Sequence, residues 1–101
     1  MSGITRDSDL IVVKPGTDIV ASMAADFKEE LAGLIKESPR KLVVDLADVA
    51  VLDAVGIGVI IATHNSLNTA GGKLVVRNVN DDIYGLFTTM RLNHHFAVER
   101  S

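Results

Sequence analysis

The stretch Val51–Ile60, VLDAVGIGVI, decides the fold, because it leads from a buried strand into a helix within a few residues. The preceding run Lys41–Leu46 is apolar on both faces until Asp45, as expected of a strand inside a parallel sheet. From Val55 to Asn68 the spacing becomes helical, and one stripe contains Val59, Ile60, Thr63 and Leu67. We therefore expect a turn at the carboxyl end of a parallel sheet, where α/β folds carry their sites.

The remainder of the chain continues this alternation of strands and helices. Short β-branched runs predict strands at Leu10–Val13 and Leu74–Val76, and Phe96–Val98 predicts a short last strand. Apolar residues recur every three or four positions from Ala24 to Ile35, which predicts an amphipathic helix. Its expected boundaries are Ser22 as N-cap and Ser38-Pro39 at the end.

A third helix and an edge strand complete the predicted architecture. Asn80-Asp81-Asp82 has the residue types of a helix N-terminus, and Ile4 and Thr5 are expected to add an antiparallel edge strand. The order of elements predicts one α/β domain over residues 1–101. Its mainly parallel sheet of four to five strands would be singly wound, with the helices packed on one face.

Composition excludes several classes of function. The chain has 101 residues, 48% of them hydrophobic, and a net charge of −3, so neither disorder nor a nucleic-acid partner is expected. It has no cysteine, which excludes disulfides and thiolate metal sites. No apolar run is long enough to insert into a membrane, and no secretory signal is recognisable, so a cytoplasmic location is expected.

Two glycines follow the turn aspartate in the deciding stretch. Asp53 stands where an N-cap belongs, and Gly56 and Gly58 are expected to let the helix backbone approach its neighbours closely. On that expectation, Gly58→Val destabilises the protein by crowding. The spacing does not fit a dinucleotide-binding loop, since Ile61 stands where the third glycine would be.

The titratable residues do not form a catalytic or metal-binding pattern. Asp45 and Asp53 could form a carboxylate pair, but the motif has no serine, lysine or histidine to complete a catalytic set. His94 and His95 are adjacent, so their side chains diverge, and His64 stands alone on its helix. We therefore expect neither an enzyme nor a bound cofactor or metal.

The complete pattern resembles the STAS domains of bacterial anti-sigma-factor antagonists. The resemblance is carried by Asp45-Leu46, the turn Leu52-Asp53-x-x-Gly56-Ile57-Gly58, Gly71–Leu74, and the stretch from Ile83 to Phe96. It implies a regulatory binding module that docks on an anti-sigma factor of the serine-kinase type, with a homodimer also possible. The residues implied to contact the partner are Asp53, Ala54, Val55, Gly56, Ile57 and Asp18.

One departure from the family pattern concerns regulation. In similar antagonists the kinase phosphorylates a hydroxyl one or two residues after the turn aspartate, and here those positions are Ala54 and Val55. Three interpretations stay open: a constitutive binder, a structural partner, or a chain that carries a Ser-to-Ala replacement at position 54. An alternative role is that of a STAS-like subunit in a lipid-transport or stress-signalling complex.

The expected contact surface has two parts. Ala54, Val55 and Ile57 are expected to form a small apolar patch at the helix tip. Asp18, in the loop after the first predicted strand, either contacts the partner or only keeps that loop soluble.

Overall fold

The structure, a computed structural model, describes residues 2–101, which form five strands and three α-helices. In chain order these are β1 (Gly3–Asp7), β2 (Leu10–Lys14), α1 (Ala21–Ile35), β3 (Lys41–Asp45), α2 (Ala54–Thr69), β4 (Lys73–Val79), α3 (Asp81–Thr89) and β5 (Ala97–Arg100). A single 3₁₀ turn, Leu92–His94, separates α3 from β5. No helix within the described part of the chain is both long and apolar enough to cross a bilayer.

The five strands lie in one sheet in the order β1-β2-β3-β4-β5. β1 pairs antiparallel with β2, which confirms the expected edge strand, and the other neighbours are parallel. Each parallel crossover therefore steps in the same direction along the sheet, and right-handed crossovers place all three helices on one face. The singly wound layer predicted from the sequence is confirmed.

Alternate residues of the strands separate a covered face of the sheet from an open one. In register across the sheet, Ile11, Leu42 and Leu74 are buried and belong to the core cluster under the helices. On the opposite face Val43 lies between its neighbours Val12 and Val75, which are partly exposed. The core is thus a single layer of aliphatic side chains between sheet and helices, together with a few phenylalanines.

The expected beginning of α1 is wrong. Ser22 lies inside the helix, which begins at Ala21. The N-cap residue is Val20, which is extended and whose side chain accepts no hydrogen bond. The helix ends at Ile35, before the predicted boundary at Ser38-Pro39. The buried stripe is as expected and contains Ala24, Phe27, Leu31 and Leu34.

Only one of the two glycines near the start of α2 packs tightly. A β-carbon at Gly56 would lie 2.5 Å from the carbonyl oxygen of Ile19 and 2.7 Å from Cδ1 of Leu52. A β-carbon at Gly58 would meet no atom within 4 Å, so the expected close packing there is wrong. Helix α2 ends at Thr69, one residue beyond the predicted helical spacing, and Gly71 follows with a φ of 85°, the left-handed conformation of a helix C-cap region.

Candidate functional site

One carboxylate caps two helices at the turn that begins α2. Asp53 is extended, and its Oδ1 accepts a 2.9 Å hydrogen bond from the backbone N–H of Gly56 in the first turn of α2. Its Oδ2 accepts a 2.9 Å hydrogen bond from the backbone N–H of Ala21, the first residue of α1, 32 positions away in sequence. Asp53 therefore supplies the cap that α1 lacks in its own sequence and fixes the N-termini of α1 and α2 together.

The loops that follow β2 and β3 are joined by backbone and side-chain hydrogen bonds. Ile19 forms an isolated parallel bridge with Leu52, in which the Ile19 N–H donates to the Val51 carbonyl at 3.0 Å. Oδ1 of Asp18 accepts from the N–H groups of Ala50 and Val51 at 2.8 and 3.0 Å. Asp18 is half-buried. Its carboxylate thus joins the loop after β2 to the loop after β3.

The residues at the tip of α2 divide into exposed and buried ones. Ala54 is exposed, and Val55 keeps 49% of its surface accessible. Ile57 is only 7% exposed and belongs to the core, so the expectation that it forms part of an apolar surface patch is wrong. The reason is helical geometry, because position 57 turns toward the sheet while 54 and 55 turn away from it. Neither exposed residue carries a hydroxyl group.

A shallow groove runs between the N-terminal halves of α1 and α2, next to this tip. Its cavity measures about 320 Å³ and is lined mainly by small residues of both helices: Ala21, Ala24, Ala25, Lys28, Val55, Gly58 and Val59. The open space above Gly58 belongs to this groove. Glycine costs about 1 kcal/mol in a helix interior relative to alanine, and no neighbouring segment lies close enough to Gly58 to require a residue without a β-carbon there.

Asp45 has a structural role at the end of β3. Its Oδ1 accepts 2.9 Å hydrogen bonds from the Ala47 N–H and from the Asn78 side-chain amide, and its Oδ2 accepts from Arg77 at 3.3 Å. Burial raises the pKa of the carboxyl group, but the hydrogen bonds from Asn78, Ala47 and Arg77 outweigh it and leave the pKa below the usual value of aspartate. Asp45 and Asp53 share no hydrogen-bond partner.

The structure brings together histidines that sequence spacing separates. The ring of His64 on α2 lies 6.2 Å from that of His95 and 5.3 Å from that of Phe96, measured between centroids. Sequence reasoning missed this cluster, because the residues lie on different elements and no motif links them. The second cap made by Asp53 was missed for the same reason. By contrast, the predicted cap of α3 is present, since Asn80 accepts from the Ile83 N–H at 2.8 Å.

Comparison with known proteins gives a family match over nearly the complete chain. A family model described as the STAS domain matches residues 3–101. The anti-sigma-B factor antagonist of Staphylococcus epidermidis is 29% identical over 102 residues, which cover 95% of this chain and 94% of that protein.

Two solved structures have the same fold at low sequence identity. An anti-sigma factor antagonist from Mycobacterium paratuberculosis superposes with a TM-score of 0.88 at 21% identity, covering 100% of this chain and 86% of the other. The Bacillus cell fate determinant SpoIIAA in its phosphorylated form superposes with a TM-score of 0.77 at 10% identity, covering 97% and 90%. The five-stranded, mostly parallel sheet and the three helices are those of this fold.

Proposed function

The chain belongs to the STAS domain family, and from this premise we propose that it is a non-enzymatic regulatory module that docks on an anti-sigma factor of the serine-kinase type. The proposed contact surface is the Asp53–Ile57 turn together with the adjoining groove. Because an anti-sigma factor acts on a sigma factor of the transcription machinery, this partner would place the protein in the cytoplasm.

The observation that carries this proposal is the surface formed by the tip of α2 and the groove beside it. Val55 is an apolar side chain with 49% of its surface exposed, next to a groove of about 320 Å³. The empty space above Gly58 supports the approach of a partner side chain to the helix backbone. Asp53 and Ile57 then act by position: the first fixes the two helix N-termini, and the second anchors the turn in the core.

The missing hydroxyl defines how this module would be regulated. The first N–H groups of a helix have no intrahelical acceptor, so a phosphate attached at position 54 or 55 would be favourably placed. Ala54 and Val55 offer no oxygen for phosphoryl transfer. We therefore propose a binder that stays competent in the presence of active kinase, unlike a relative that is switched off by phosphorylation.

The docking surface is tested by affinity capture from source cells with two matched variants. Val55→Glu puts a charge on the proposed surface, and a carboxylate in the first turn of a helix does not weaken the helix. Met90→Glu is the control, since Met90 is also an exposed apolar residue, 44% accessible, at the C-cap of α3. The unmodified chain and Met90→Glu are expected to recover a kinase-type ATPase, and Val55→Glu is not. Recovery of only a second copy of the chain, or of transporter subunits, would contradict the proposal.

The regulatory part is tested with the recovered kinase and ATP. Ala54→Ser introduces a hydroxyl at the exposed first position of α2, and mass spectrometry is expected to find one phosphate in the peptide that contains this position. The unmodified chain is expected to carry none there. If the recovered kinase leaves Ala54→Ser unmodified, the turn is not the segment that the kinase recognises.

A further inference from the structure

A second cavity lies at the end of the sheet opposite to the Asp53 turn. It measures about 400 Å³ and opens where β3 and β4 begin, below the C-terminal half of α2. Its charged and aromatic lining consists of Lys41, Lys73, His64, His95 and Phe96, without any carboxylate. This bias is notable in a chain with 13 acidic residues and 10 lysines and arginines.

The two lysines of this cavity are neighbours on adjacent strands. Lys41 of β3 pairs in register with Lys73 of β4, and both are exposed. Among residues 2–101 no carboxylate forms an ion pair with either one. Like charges on directly adjacent strand positions repel each other and destabilise the pair. A bound anion would remove this repulsion.

The histidines on the other side of the cavity add hydrogen-bond donors, and a buried phenylalanine packs against one of them. Phe96 is buried, and its ring packs 5.3 Å from that of His64, while His95 is exposed and lines the same cavity. Each imidazole offers at least one N–H donor. The negative end of the α2 dipole is moderated here, because the N–H groups of Gly71 and Gly72 donate to the Asn68 and Leu67 carbonyls at 3.2 and 2.8 Å.

We infer that this cavity binds a small organic anion that carries a phosphate or carboxylate group. The oxyanion lies between the lysine pair and the histidines, and the body of the ligand packs against Phe96. A volume of about 400 Å³ exceeds what an inorganic anion fills and lies in the range of small-molecule sites.

The site is separate from the proposed docking surface. His64 follows Ala54 by ten positions on α2, or about 15 Å along the helix axis. Loss of anion binding would therefore leave the capture experiment with Val55→Glu unaffected, and a failed capture experiment would leave the anion site unaffected. The two proposals can be refuted independently.

Titration of the full chain, followed by amide chemical shifts in NMR spectra, tests the inference with three probes at matched ionic strength. Phenyl phosphate and benzoate combine an oxyanion with a planar body, whereas inorganic phosphate is the oxyanion alone. We expect saturable shifts at Lys73, His95 and Phe96 with at least one organic probe, and weaker binding of inorganic phosphate. The tighter of the two organic probes identifies the preferred oxyanion.

A matched pair of lysine variants decides whether the cavity is responsible. Lys73→Gln is expected to weaken binding about tenfold, the factor contributed by one hydrogen bond to a charged group. Lys36→Gln is the control, because Lys36 is an exposed lysine at the end of α1 and lies outside the cavity lining. This variant should change the affinity less than twofold, which corresponds to about 0.4 kcal/mol. The inference would be overturned if both variants lost the same amount of affinity, or if the chemical-shift changes lay outside the cavity. It would also be overturned if inorganic phosphate bound as tightly as the organic probes, or if no probe gave a saturable shift.

Discussion

Two glycines in the same turn of α2 are predicted to respond in opposite directions to the same substitution. Gly56→Ala places a methyl group 2.5 Å from the Ile19 carbonyl oxygen and 2.7 Å from a Leu52 methyl group, whereas Gly58→Ala places it in open space. The Ile19 carbonyl cannot easily move, because it accepts a 3.2 Å hydrogen bond from the Asp53 N–H. The contacts therefore predict strain at position 56 and none at position 58.

The magnitudes follow from packing and helix propensity. Overpacking a rigid site costs about 1–3 kcal/mol, and a gain in helix propensity of up to about 1 kcal/mol at position 56 offsets part of it. At position 58 only the propensity gain applies, so Gly58→Ala should stabilise by about 0.5–1 kcal/mol. For a domain of this size, 1 kcal/mol corresponds to about 4–8 °C in Tm.

Urea unfolding followed by far-UV circular dichroism measures both variants, since the chain has no tryptophan for fluorescence. We expect Gly56→Ala to unfold at a lower urea concentration and Gly58→Ala at a higher one, with equal slopes. A Gly56→Ala variant as stable as the unmodified chain would refute the close packing of α2 on the Ile19 loop. A destabilised Gly58→Ala variant would show that the groove above it is filled in the isolated protein.

Two further predictions concern the buried and half-buried carboxylates. Asp53→Ala removes the caps of both α1 and α2 and should cost about 2 kcal/mol in urea unfolding, at about 1 kcal/mol for each cap; a loss of about 1 kcal/mol, equal to one cap, would contradict the bridging role. The pKa of Asp45 is lowered in the folded state, so the unfolded chain takes up the proton first as the pH falls. The contribution of Asp45 to stability is therefore complete above about pH 4 and is lost as the pH falls through the folded pKa. Asp45→Asn should therefore lose less stability than the unmodified chain between pH 5 and pH 2, and parallel acid profiles would disprove the assignment.

Much of the fold could be predicted because its signals are local. The stripe of α1 and the cap at Asn80 each depend on residues within a few positions, and both are present as expected. The start of α1 was mispredicted because its cap comes from Asp53, which no local pattern links to Ala21. The spacing Gly56-x-Gly58 likewise indicated that a helix backbone approaches another segment but not which glycine is in contact.

The sequence by itself determined the order of strands and helices, the single domain, and the absence of a hydroxyl group at the turn, because these depend on periodicity and residue identity. Tertiary structure alone decided which side chains of the turn reach solvent, that Asp18 joins two loops, and that Lys41, Lys73 and His64 share a cavity. These properties arise from contacts between elements far apart in the chain, and only the packing of helices on one face of the sheet fixes those contacts.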